Sequence, residues 1–183
     1  LAIIINNLAD AAILISKTIK TINKTSQTEV DKKSIKVDGD FQKQFVAQRL
    51  AALDAGQSMS EVADRLIPTM VAPLALPAGA ALAQYPAGLA LAHACMSAVP
   101  PSTYRASMHA LVKFEQRAAL PSITVPTLCL AGEYDKTAPP EVLRRMALKI
   151  QNAEYECIAG VGHLMGFEQE ALFLEAVLNF VRR

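Results

Sequence analysis

Two stretches near the end of the chain decide its fold: TLCLAGEYDKTAPP at 127–140 and YECIAGVGHLMGFE at 155–168. Each opens as a short apolar run of strand length and ends in a polar loop. The first loop carries Asp135 and the second carries His163. Between the two runs, PPEVLRRMALKI reads as an amphipathic helix with Pro139 and Pro140 at its start. After the second run, QEALFLEAVLNFVRR reads as a terminal helix. Leu172, Ala176 and Phe180 face inward, and Arg182 and Arg183 stand near the negative end of its dipole. Strand–helix–strand–helix with strands apolar along their whole length is a parallel α/β unit, with strands near 127–131 and 154–158. In such sheets the functional side chains lie in loops at the carboxyl ends of the strands. Asp135 and His163 both lie there.

An acid and a histidine so placed look like two thirds of a hydrolytic triad, in which a nucleophile attacks, a histidine takes its proton and a carboxylate orients the histidine. In the chain order Ser, Asp, His, the serine sits in a G-x-S-x-G elbow. No such pentapeptide occurs in the 183 residues. Ser58, three before Glu61, has the spacing of a helix capping box and is read as a cap. Simpler roles stand beside the catalytic ones. Asp135 could cap the helix after it or bind loop amides, and His163 could be a loop histidine without a role. His93 and His109, in alanine-rich helical contexts, read as surface or packing residues, and Glu133 as facing solvent.

Upstream the chain reads as mostly helical. Residues 1–23 place Ile4, Leu8, Ala11, Ile15, Ile19 and Ile22 on one helical face. Residues 24–40 are polar, with a turn signal at Asp38-Gly39. A helix follows from Phe41 to Gly56, with Phe41 and Phe45 on its ladder. The next helix, from Ser58, has Val62, Leu66 and Met70 on its buried stripe, and Pro68 should kink or end it. Residues 72–92 offer little to fix a register. Another helix begins near Ser102, a plausible N-cap, with Tyr104, Met108, Leu111 and Val112 inward.

Composition narrows the function classes. The hydrophobic fraction is 52%, so there is apolar surface to bury, and the formal net charge of +1 gives no electrostatic footprint for nucleic acid or an anionic membrane. Three widely spaced cysteines, Cys95, Cys129 and Cys157, form no disulfide or zinc spacing. Cys129 and Cys157 are expected to be buried thiols of a reducing, cytoplasmic compartment. The apolar start lacks the basic region and cleavage site of a signal peptide, and no run is long enough to span a bilayer.

Residues 120–183 resemble the C-terminal end of an α/β-hydrolase. The likeness runs through ITVPTLCLAGEYDKTAPPEV and AGVGHLMGFEQEALFLEAVLNFV. It implies Asp135, in Gly132-Glu133-Tyr134-Asp135, as triad acid, and His163, after Gly162, as triad base. FVAQRLAALDAGQSMSEVADRL and SAVPPSTYRASMHALVKFEQR, within 45–119, resemble the helical cap of the branch with lactonases, carbon–carbon bond hydrolases and small esterases. Residues 3–44, through IINNLADAAILIS and KVDGDFQKQ, more faintly resemble the N-terminus of class I fructose-bisphosphatases. Asp38 and Asp40 nonetheless read as turn residues rather than metal ligands.

Together these likenesses imply a composite chain: a segment 1–44, a cap-like region 45–119 and a βαβα part 120–183, a partial α/β-hydrolase fold. The expected function is that of a hydrolase lineage acting on a small-molecule ester or lactone. Acid and base are retained, the nucleophile is missing and the chain is inactive alone, with no cofactor and no metal. Self-association through an exposed sheet edge is the expected partner interaction. The alternatives are a fragment of a magnesium-dependent sugar-phosphate phosphatase and a non-catalytic helical interaction module.

Overall fold

The computed structural model describes residues 2–5, 39–76, 79, 81–112 and 116–183. Among them are three strands, β1 (Ala2–Ile5), β2 (Thr127–Gly132) and β3 (Ala153–Ile158), in one parallel sheet of order β1-β2-β3. β2 lies at the centre, and all six of its residues are buried. That is why its sequence is apolar without alternation. Leu128 and Leu130 point to one face and Cys129 and Ala131 to the other, so helices must cover both.

Helix α5 (Pro140–Ala147) covers one face through Leu143 and Ala147. On the other face α7 (Glu170–Val181) packs Ala176 and Phe180 against Leu128, Leu130 and Ile158. Leu172, expected inward, is exposed. It precedes the stretch of α7 whose Ala176 and Phe180 meet the sheet. A four-residue helix, α6 (Met165–Glu168), sits between β3 and α7.

Between β1 and β2 the described residues are mostly helical. In α1 (Gly39–Asp54), Val46, Leu50 and Leu53 are buried, and Arg49 lies over the Phe45 ring at 5.3 Å. α2 (Met59–Met70) begins at the capping box. The Ser58 backbone N–H donates to Glu61 at 2.7 Å, and the Glu61 N–H donates back to the Ser58 hydroxyl at 3.3 Å. The helix runs through Pro68, whose ring faces solvent, and ends at Met70. α4 (Pro101–Leu111) starts with Pro101 at its first position, so Ser102 is not the cap; a proline fits there because its missing N–H has no partner to lose. Its Tyr104 and Met108 are buried and complete a core with α1 and α2, whereas Leu111 in the last turn is exposed.

The alanine-rich stretch that offered no register forms α3 (Ala87–Ser97). Leu89 and Ala92 pack it on Ala63 and Ile67 of α2, and Leu164 joins the same core. The helical region thus rests directly on the loop that bears His163.

Three expectations are corrected here. Residues 2–5 are a strand, not a helical turn, and their pairing with β2 puts the start of the chain in the same sheet as its last third. The rest of the 1–23 helix and Asp38 lie outside the described residues, and Asp40 is in α1 rather than a turn. Cys157 is exposed while Cys129 is buried. β3 is an edge strand, and α5 covers Ala153 and Tyr155 but not Cys157 at its carboxyl end. Burial pushes the Cys129 thiol up to about 11, so it behaves as a neutral small hydrophobe.

Candidate active site

The loops after β2 and β3 meet backbone to backbone. A methyl group on Gly132 would lie 2.1 Å from the Gly162 carbonyl oxygen. The Tyr134 N–H donates to the Val161 carbonyl at 2.8 Å, and the Gly160 N–H to the exposed Glu133 carboxylate at 2.8 Å. Glycine at the end of β2 is therefore what lets the two loops approach.

This approach brings Asp135 and His163 together. His163 Nδ1 lies 2.8 Å from Asp135 Oδ2, and both side chains are buried. A carboxylate oxygen only accepts, so Nδ1 carries a proton, and in the neutral ring Nε2 then keeps its lone pair. Asp135 Oδ1 accepts the backbone N–H groups of Thr137 and Ala138, each at 2.8 Å. The loop-amide reading of Asp135 and the histidine-orienting one thus hold at once, on different oxygens. His163 Nε2 is buried and meets no hydrogen-bond partner among the described residues. A buried polar atom without a partner costs about 1–3 kcal/mol.

Glu168 completes the surroundings and has no counterpart in the motifs read from the sequence. Its carboxylate accepts the N–H groups of Ala72, Gly162 and Leu164. Burial pushes its carboxyl above the ordinary value. The three amides oppose that shift, and the nearby Asp135 charge adds to it. The faint signal for it is position alone, five residues beyond His163.

Elsewhere, Ser58 is the helix cap the spacing implied, and Gly56 before it is followed two after the serine by Ser60, not glycine. His109 is exposed. His93 is buried in the helical region, its Nε2 2.9 Å from Asp64 and its Nδ1 3.3 Å from the Ser97 hydroxyl. The described residues bring together no group of three or more side chains that could hold a metal, and no helix among them is long and apolar enough to cross a membrane.

Solved structures share this arrangement of strands and helices. A thermophilic esterase from Thermogutta terrifontis matches 78% of this chain at 22% identity, with a TM-score of 0.62. The enol-lactonase of Burkholderia xenovorans matches 77% at 23% identity and a TM-score of 0.65. A hydrolase of Pseudomonas aeruginosa matches 76% at 25% identity and a TM-score of 0.62. The chain carries part of an α/β-hydrolase fold. It spans about half the length of these structures: 49%, 51% and 50% respectively.

In sequence, 74 residues are 38% identical to part of the polyketide synthase ThaQ of Burkholderia thailandensis, which is 40% of this chain and 4% of that protein. No family model matches the chain. The likeness of residues 3–44 to fructose-bisphosphatases finds no support in these comparisons. With β1 hydrogen-bonded into the α/β-hydrolase sheet, its basis in an opening helix is gone for residues 2–5.

Proposed function

We propose that this chain holds the acid and base of a hydrolase active site and that the nucleophile comes from outside its 183 residues. Asp135 is the acid, fixing the tautomer and orientation of the imidazole, and His163 is the base. A hydroxyl brought to Nε2 loses its proton there as its oxygen attacks the substrate carbonyl. The imidazolium is stabilised by Asp135 and then gives the proton to the leaving group. The substrate class is a small ester or lactone, or a ketone cleaved at a carbon–carbon bond. The helical region 45–119 is the cap over it, and self-association through an edge strand of the sheet belongs to the same proposal.

The observation that carries this reading is the state of the His163 ring: Nδ1 engaged by a buried carboxylate, Nε2 buried and without a partner among the described residues. A loop histidine without a role would not be held on one nitrogen and desolvated on the other. Without a nucleophile, the 183-residue chain should hydrolyse p-nitrophenyl acetate no faster than free imidazole does, with no burst of acyl-enzyme. Robust turnover that His163→Ala abolishes would place a nucleophile inside the chain and overturn the proposal in its main part.

A further inference from the structure

We propose that Glu168 is the positioning residue of this site, its carboxylate locking the loop that carries His163 onto the segment leaving α2. The proposal rests on the acid–base reading of His163 and deepens it. Oε1 of Glu168 accepts the N–H of Gly162 at 3.0 Å and of Leu164 at 3.1 Å, the two residues that flank His163. Oε2 accepts Gly162 at 3.0 Å and Ala72 at 2.8 Å. The N–H of His163 itself donates to the Met70 carbonyl at 2.6 Å. Three consecutive amides of the base loop are therefore all taken, two of them by one side chain.

Packing alone does not ask for this. Glu168 ends a four-residue helix, and a carboxylate there could turn to water. It turns inward instead, against the cost of burial, and the return is geometric. Charge-assisted bonds from backbone amides are short and directional, and four of them on two oxygens fix the loop in orientation as well as position. Only a carboxylate accepts on both oxygens; an amide would present N–H groups to one set of donors. Gly162 shows how close the joint is, since a methyl group there would lie 2.5 Å from the Met70 carbonyl oxygen. Ala72 belongs to the helical region, so Glu168 links that region to the loop that sets the angle of the His163 ring, beside the direct bond from the His163 N–H to Met70.

The test compares the whole chain with Glu168→Ala and Glu168→Gln by NMR. It follows the His163 Nδ1 proton shared with Asp135 and the exchange of individual backbone amides. In Glu168→Ala the Nδ1 proton signal should be lost, and the Gly162 and Leu164 amides should exchange about tenfold faster or more, as expected for lost charge-assisted bonds. The amides of Leu128–Ala131 in β2 should stay protected. Glu168→Gln, with one oxygen left, should restore the signal in part. A Glu168→Ala chain with β2 protected and the Nδ1 proton signal intact overturns the proposal. A parent chain with no Nδ1 proton signal overturns the acid–base reading, and the positioning role with it.

If Glu168→Ala does not fold, the parent chain decides. The amide shifts of Ala72, Gly162 and Leu164, and the His163 ring signals, should all follow the titration of the Glu168 carboxyl, above its ordinary value. Ring signals indifferent to that titration overturn the proposal.

Discussion

The chain holds two aspartate–histidine pairs of almost equal length, 2.8 Å between Asp135 and His163 and 2.9 Å between Asp64 and His93. Residue types and distance are the same, and what each pair can do is not. In the helical pair the ring uses both nitrogens, one on Asp64 and one on Ser97, and Asp64 is half exposed. That histidine is satisfied and ties α2 to α3. In the strand-end pair the carboxylate is buried and pinned by two loop amides, and the outer nitrogen of the ring meets no partner among the described residues. A candidate base is marked by the free nitrogen and the rigid acid behind it, not by the pair itself.

The two pairs should part most widely when their aspartates are removed. Asp135→Ala leaves the buried His163 Nδ1 without its acceptor, together with the N–H groups of the exposed Thr137 and the half-buried Ala138. At roughly 1–3 kcal/mol for a buried group left unpaired, and less for two amides that water can reach, a loss of about 2–3 kcal/mol is expected. Asp64→Ala exposes its partner to water through a half-open site and should cost about 1 kcal/mol or less. Urea unfolding of the two variants makes the comparison. Equal losses would mean that the strand-end pair is no more built than the helical one.

Glycines give a second, smaller contrast between the same regions. Gly162→Ala forces a methyl group to within 2.5 Å of the Met70 carbonyl oxygen and 2.8 Å of the Ala72 nitrogen. Backbone cannot swing aside as a side chain can, so about 2 kcal/mol or more is expected from overpacking. Gly56, after α1, has φ +81° and open space around it. Alanine there pays only the left-handed backbone penalty, roughly 1–2 kcal/mol. The chemical-denaturation midpoints of the two variants should rank in that order.

What was legible in the sequence follows the same division. Asp135 and His163 could be found because strand-end positions and the flanking Gly132 and Gly162 leave a local mark. β2 and β3 could be found because a continuous apolar run is how a covered parallel strand must read. β1 was misread, since its isoleucines fit a helical ladder as well as a short buried strand, and period alone does not separate the two. α3 left no mark because alanine and leucine on every side give no contrast between faces. Glu168 was invisible for a different reason: its partners are backbone amides at 72, 162 and 164, which any residue type provides. The pairing of His93 with Asp64 is likewise made by helix packing, 29 residues apart, and by no motif.

The smallest expected effect is one of sign, and it sets two glutamates against each other. Glu61 closes the capping box of α2 in the open. Hydrogen bonds from the Ser58 backbone and hydroxyl hold its carboxyl below the ordinary 4.5, with Arg65 nearby helping and slight burial opposing. A carboxyl that is more acidic folded than unfolded stabilises the fold above pH 4.5 and loses that contribution as pH falls through its folded value. Glu168 goes the other way. Burial holds its carboxyl above 4.5 despite the amides of Ala72, Gly162 and Leu164, and Asp135 adds to the rise. Its titration stabilises the fold below pH 4.5, and that contribution is lost as pH rises through its folded value. Glutamine titrates at neither position. The stability of the parent relative to Glu61→Gln should therefore grow as pH rises from 3 to 7, while its stability relative to Glu168→Gln should shrink over the same range. Urea unfolding at several pH values reads both slopes. Slopes of the same sign would mean that the amides of Ala72, Gly162 and Leu164 outweigh burial at Glu168, as the Ser58 donors do at Glu61.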